Sequence, residues 1–152
     1  MTLVTVMESL KALLEETVAE YRAQGKESLG PITVYAGYPP VRDRSVEMSS
    51  YVYAAVVDWT DKEADAYSAC TVEIGLAIRD EAPDGCMSLY NLLEHIRQAL
   101  LRHRLVCDRT SLQLPLKGRL PEQQPTPIWL GIIRATYLVA QPEMEGINFD
   151  SF

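Results

Sequence analysis

Apolar positions at the start of the chain fall at helical spacing. Leu3, Met7, Leu10, Leu14, Val18 and Tyr21 recur at intervals of three and four, which puts them on one helix face. Val6 and Leu13 widen that stripe, while Glu15, Glu16 and Glu20 lie beside or opposite it. Thr5 with Glu8 fits a capping box, and Thr2 is an alternative start. Gly25 suits the left-handed turn that ends a helix. Pro31 opens a short strand over residues 32–35. Residues 38–50 read as an irregular loop, because Pro39 and Pro40 deny both helical and ladder bonding.

The pattern then shortens to a period of two. Over residues 51–59 both alternating sets are apolar (Tyr51, Tyr53, Ala55, Val57 and Val52, Ala54, Val56), as in an interior strand. Over 71–79, Val72, Ile74, Leu76 and Ile78 share one face, and Thr71, Glu73, Gly75, Ala77 and Arg79 share the other. Such one-sided alternation belongs to a sheet covered on a single side. These two strands read as an antiparallel hairpin joined by the charged run Asp61-Lys62-Glu63-Ala64-Asp65. Residues 80–85 form a turn, with Asp84 as the expected N-cap of a second helix over 86–103. Its stripe is Leu89, Leu93, Ile96 and Leu100, with Leu92 and Ala99 alongside. Glu94 can pair with Arg97, and Arg102, His103 and Arg104 suit the helix C-terminus.

The remainder is again β. Leu112, Leu114 and Leu116 alternate with Gln113, Pro115 and Lys117, and Pro115 makes this an edge strand or a bulged one. A proline-rich connection over 121–127 leads into a strand over 128–140. Trp129, Ile133, Tyr137 and Val139 lie on one side of it, and Arg134 and Thr136 on the other. The order α-β-β-β-α-β-β predicts an α+β domain over residues 1–142: an antiparallel sheet of four to five strands with both helices on one face. Residues 143–152 read as an acidic, flexible tail.

At 152 residues, 47% hydrophobic and 23% charged, the chain has the makings of one globular core. That excludes a disordered, collagen-like or disulfide-stapled chain. Fourteen basic and 21 acidic residues give a net charge of −7, which opposes general binding of phosphate backbones. The longest apolar run, 51–57, is far shorter than the roughly 20 residues that cross a bilayer. The N-terminus lacks a basic leader, so a soluble cytoplasmic protein is expected. Cys70, Cys86 and Cys107 are an odd, unclustered set, read as small apolar residues in a reducing compartment.

The search for chemistry yields little. No phosphate-binding glycine motif occurs, and His103 with Cys107 supplies two ligands where a zinc site needs four. His95 falls beside the helical stripe. Asp61, Glu63 and Asp65 read as a solvated turn without the glycine-centred spacing of a calcium loop. No catalytic, cofactor or metal site is expected. Candidate contact residues sit instead in the projecting segments: Tyr38, Arg42 and Arg44 in the long loop, Trp59, Asp61 and Glu63 at the hairpin tip, and Glu122 and Gln123 in the proline-rich connection.

Several stretches resemble one family. They are DEAPDGCMSLYNLLEHIRQALL at 80–101, LQLPLK at 112–117, PEQQP at 121–125 with IWLG at 128–131, and Tyr51 and Tyr53 leading through Ala54-Ala55-Val56-Val57 to Thr71-Val72-Glu73-Ile74. Together they are similar to small proteins of long-tailed phages and prophages of Gram-positive bacteria, over about residues 51–142. The first fifty residues agree only in type. The resemblance implies a tail terminator or tail-completion protein with an α+β fold. Such proteins form a ring, typically hexameric, at the head-proximal end of the tail tube, where they stop tube growth and dock the head connector. It implies other copies of the chain, the tail tube protein and the connector as partners, with DNA only as cargo and no membrane. It places the protein in the host cytoplasm during assembly and then in the virion tail. Net negative charge suits such a conduit. Two rival readings are an acidic binding module or DNA mimic, motivated by the charge, and a thiol or metal enzyme using Cys86 or Cys107 with a histidine.

The helical stripe can be tested directly. Leu93→Asp puts an unpaired charge into the expected core and should cost several kcal/mol, enough to unfold a small domain. Circular dichroism with urea titration reads this, and a folded, soluble variant would show the stripe to be misassigned.

Overall fold

The computed structural model describes residues 2–25, 29–40, 49–62, 67–107 and 110–142. Helix α1 (Leu3–Ala23) starts at Thr2, whose hydroxyl accepts a hydrogen bond from the Thr5 amide at 3.1 Å. Thr2 therefore takes the cap, and Thr5 lies inside the first turn. The chain leaves the helix through Gly25 at φ +94°, where a side chain would be strained. Val6, Leu10, Leu14, Val18 and Tyr21 are buried, and Leu3, Met7 and Leu13 flank them.

Helix α2 (Cys86–Arg102) buries Ser88, Leu89, Leu92, Ile96 and Leu100. Its stripe is rotated by about one position from the expected one, so Leu92 is central and Leu93 is a half-buried flank. The expected cap is also different. Gly85 occupies the N-cap and Asp84 is exposed in the turn. Asp80 does the equivalent work: its carboxylate accepts from the Ala82 amide at 3.0 Å and from the Ser88 hydroxyl at 2.6 Å. The end of the preceding strand thus aims a carboxylate at the helix start, a contact between residues eight apart that no capping pattern describes. Glu94 and Arg97 pair at 3.0 Å as expected. Tyr21 joins the helices by donating to the Ser88 carbonyl at 3.1 Å.

One six-stranded sheet contains β1 (Thr33–Ala36), β2 (Tyr51–Thr60), β3 (Tyr67–Arg79), β4 (Leu105–Cys107), β5 (Thr110–Arg119) and β6 (Ile128–Ala140). Its spatial order is β1-β2-β3-β6-β5-β4. The architecture is α+β with both helices on one face: α1 packs over β1 and β2, α2 over β3 and β6, and the helices touch each other. Two details depart from expectation. The sheet has six strands because three-residue β4, too short to show a period, pairs with the start of β5. The sheet is mixed because β1 pairs parallel to β2. The long connection between those strands gives the chain enough length to return to its starting end, as parallel pairing requires.

Strands β3 and β6 pair along their whole length, and β2 with β3 forms the expected hairpin. Val72, Ile74, Leu76 and Ile78 face the helices together with Val52, Ala54, Ile133, Ala135, Tyr137 and Val139. A bulge between Val56 and Asp58 reverses the alternation at the end of β2, and Met7 Sδ accepts from the Val56 amide at 3.3 Å. The irregularity foreseen at Pro115 is a register shift between Gln113 and Lys117. It leaves Leu114 exposed while Leu112 is buried.

Tyr137 is fully buried, and its hydroxyl has no hydrogen-bond partner among the described residues. Burial, with a smaller contribution from nearby Cys70, pushes its pKa well above the ordinary value of 10.0. The folded protein therefore keeps this proton at pH values where the unfolded chain has lost it. Stability from this group is complete below about pH 10 and falls as pH rises further. Tyr137→Phe removes an unsatisfied buried group, so its cost in urea unfolding at neutral pH should lie between zero and a gain of about 1 kcal/mol. It should also flatten the loss of stability above pH 10.

Candidate functional site

A period of two leaves every second residue of the sheet on the side away from the helices. On β1 and β2 these are Tyr35, Tyr51 and Tyr53, brought into one patch by the pairing of Tyr35 with Tyr53 and of Thr33 with Tyr51. The Tyr35 and Tyr51 rings stand 6.2 Å apart near edge-on, and the Tyr51 and Tyr53 rings 6.3 Å apart. Tyr38, just past β1 and 63% exposed, tilts over Tyr53 at 5.7 Å. The Tyr53 ring crosses Gly75, its neighbour on β3, so closely that a Cβ there would lie 2.2 Å from the ring. Its hydroxyl donates to Glu73 Oε2 at 2.8 Å, and Glu73 Oε1 faces Arg134 Nη2 at 3.5 Å. Burial first, and then the Glu73 carboxylate, raise the Tyr53 pKa far enough to keep it a donor at neutral pH.

Beyond Glu73 the same face becomes cationic. Lys117 on β5 stands directly opposite Arg134 on β6, and Arg119 opposite Ile132. Lys117, Arg119 and Arg134 are all exposed. With Gly118, Pro121 and Ile132 they line a shallow cleft of about 450 Å³. Like charges directly opposite across a strand pair repel, so an anion bound here would relieve the pair. Half-buried Ile128, Leu130, Ile132 and Leu138 complete an uncovered face that is aromatic, aliphatic and locally basic.

The residues expected from sequence as contacts do not form one site. Tyr38 belongs to the tyrosine patch. Trp59, 59% exposed, stands opposite Cys70 near the hairpin tip, where the bulge has moved it to the helix-bearing side. Asp61, also exposed, accepts from the Ser68 hydroxyl. Glu122 and Gln123 are exposed in the connection to β6, which is fixed by Gln124 bonding the amide and carbonyl of Leu130 at 2.6 and 3.0 Å. That connection meets the far end of β3, where the Asp80 amide bonds the Pro127 carbonyl at 3.0 Å. At about 3.3 Å per strand residue it lies roughly 30 Å from Trp59. Arg42, Arg44 and Glu63 lie outside the described residues, as do Asp65 and the acidic tail.

Residues that sequence reasoning passed over supply most of this face: Tyr35, Glu73, Lys117, Arg119 and Arg134. The i, i+2 spacing of Tyr51 and Tyr53 was a visible signal. Nothing in the sequence pairs Lys117 with Arg134, because a register shift intervenes. The remaining polar groups of interest have structural partners. His95 bonds the Asn91 carbonyl at 2.8 Å and Gln24 Oε1 at 3.2 Å, with its ring edge-on to Tyr21. The Cys107 thiol faces the Thr110 hydroxyl at 3.3 Å, and Cys70 is buried. Among the described residues no three His, Cys, Asp or Glu side chains group as metal ligands. No helix is long and apolar enough to cross a membrane.

The chain matches no model of a known protein family, and no curated protein sequence matches it.

Gly75 is the position on which the tyrosine patch closes most tightly. Gly75→Val should push the Tyr53 ring off the sheet and break its bond to Glu73, at a cost of about 1–3 kcal/mol in urea unfolding. In a Tyr53→Ala background the same substitution should cost much less. Equal costs in both backgrounds would show that the ring does not rest on Gly75.

Proposed function

We propose that the protein is a structural assembly protein, a tail terminator of a long-tailed phage or prophage. It works as a ring of identical copies, hexameric by the family's habit, on the head-proximal end of the tail tube. The tail tube protein and the head–tail connector are its other partners, and the assembled virion tail is its destination. Its action lies in contact surfaces and not in bond-making chemistry.

The observation that carries this reading is the uncovered sheet face. The helices cover one side of the six strands, while the other side presents half-buried Tyr35, Tyr51, Tyr53, Leu130, Ile132 and Leu138 in continuous array. A contiguous apolar and aromatic surface of this kind marks a protein contact. The segments that carry the family resemblance support the reading by their location. They occupy the turn before α2, α2 itself, β5, the connection and the start of β6, which form one connected half of the domain.

The purified protein is expected to form closed rings in negative-stain micrographs, to scatter light as an oligomer, and to bind the ends of tail tubes. A chain that remains monomeric at every concentration and never caps a tube would overturn the reading. If that monomer bound a basic host protein instead, the acidic binding module would take its place.

A further inference from the structure

The net charge of −7 is distributed unevenly between the two faces of the domain. The outward side of α1 carries exposed Glu8, Glu15, Glu16 and Glu20, opposed only by partly buried Lys11, which sits 3.9 Å from Glu15. Exposed Ala12, Ala19 and Ala23 lie among these carboxylates. The opposite side of the domain carries the cationic cleft. There Arg134 shares Glu73 with Tyr53, and neither Lys117 nor Arg119 has a carboxylate partner among the described residues. The molecule thus has an acidic back, on the helix layer, and a basic and apolar front, on the sheet.

We propose that the contact between neighbouring copies is made back to front: the outer side of α1 of one copy seats on the uncovered sheet face of the next, with Glu8, Glu15 and Glu16 facing Lys117, Arg119 and Arg134. This rests on the ring reading above and adds the surfaces that make the ring. Three physical considerations converge on it. The small side chains of Ala12, Ala19 and Ala23 let a helix lie close over a sheet, so Leu130 and Ile132 would be covered by helix backbone and alanine methyls. The anions of α1 would relieve the repulsion between Lys117 and Arg134. Front-to-front packing would set cations against cations, and back-to-back packing would set carboxylates against carboxylates, so charge disfavours both two-fold arrangements. A contact between two different surfaces is heterologous, and it closes into a ring when successive rotations complete a turn. A nucleic acid is the weaker occupant of the cleft, because the remainder of the surface repels phosphates.

The test is charge reversal at exposed positions, with sedimentation velocity as the readout and circular dichroism confirming the fold. Lys117→Glu with Arg119→Glu should shift the protein from oligomer to monomer, and so should Glu8→Lys with Glu16→Lys. Combining all four substitutions should restore assembly, because the charges are then complementary in the opposite sense. If the wild-type protein assembles and both double variants assemble equally well, this contact is wrong while the ring reading stands. A wild-type protein that never assembles overturns both. If Lys117→Glu with Arg119→Glu keeps the oligomer but loses retention of a duplex oligonucleotide, the cleft binds phosphate and the back-to-front contact is refuted.

Discussion

Strands β3 and β6 pair residue for residue from Tyr67 with Ala140 to Arg79 with Ile128, and their inward side chains meet the two helices in one apolar layer. Ile74 opposite Ile133 and Val72 opposite Ala135 sit at the centre of that layer, fully or almost fully removed from water. Burial of this single face dominates the stabilisation of the domain, since each fully buried aliphatic side chain contributes about 1.5–3 kcal/mol. It also constrains everything else. A one-residue slip would turn the whole apolar set outward, so the register of β3 on β6 is fixed, and with it the identity of every residue on the outer face.

The outer face is therefore a consequence of the core, and its chemistry is organised by the same register. Gly75 leaves room on β3 for the Tyr53 ring from β2, and this places the hydroxyl on Glu73. Glu73 then stands between a tyrosine patch and a cationic one, holding Tyr53 on one oxygen and facing Arg134 with the other. The carboxylate serves as a hinge of charge, separating the aromatic half of the face from the basic half. Side chains so arranged are poor catalysts, since none is held over a substrate-sized enclosure. They are well suited to a partner surface, where aromatic area supplies the contact and a few charges set the orientation.

An assembly protein of this design needs two different sticky surfaces on one small domain, and a two-layer fold supplies them at low cost in complexity. One layer is a helix whose inner stripe is committed to the core and whose outer side is free to vary. The other is a sheet whose second face the core does not use. Segregating negative charge to the first and positive charge to the second gives the pair a direction. Direction is what distinguishes a ring from a symmetric dimer, and long-range charge is a means of setting it before short-range packing engages.

Much of this was legible in the sequence. Helical spacing in the first twenty residues and in 86–103, and one-sided alternation in 71–79, specified two helices, the hairpin and a sheet covered on one side. These are local periodicities, and a period reports which face of an element is buried without reference to its neighbours. What periodicity cannot carry is which elements lie side by side. The parallel pairing of β1, the existence of β4, the bulge that turns Trp59 to the helix side, and the capping of α2 by Asp80 all depend on contacts between distant residues. So does the cationic cleft. Lys117 and Arg134 are separated by a proline-rich connection and a register shift, and only the pairing of β5 with β6 makes them neighbours.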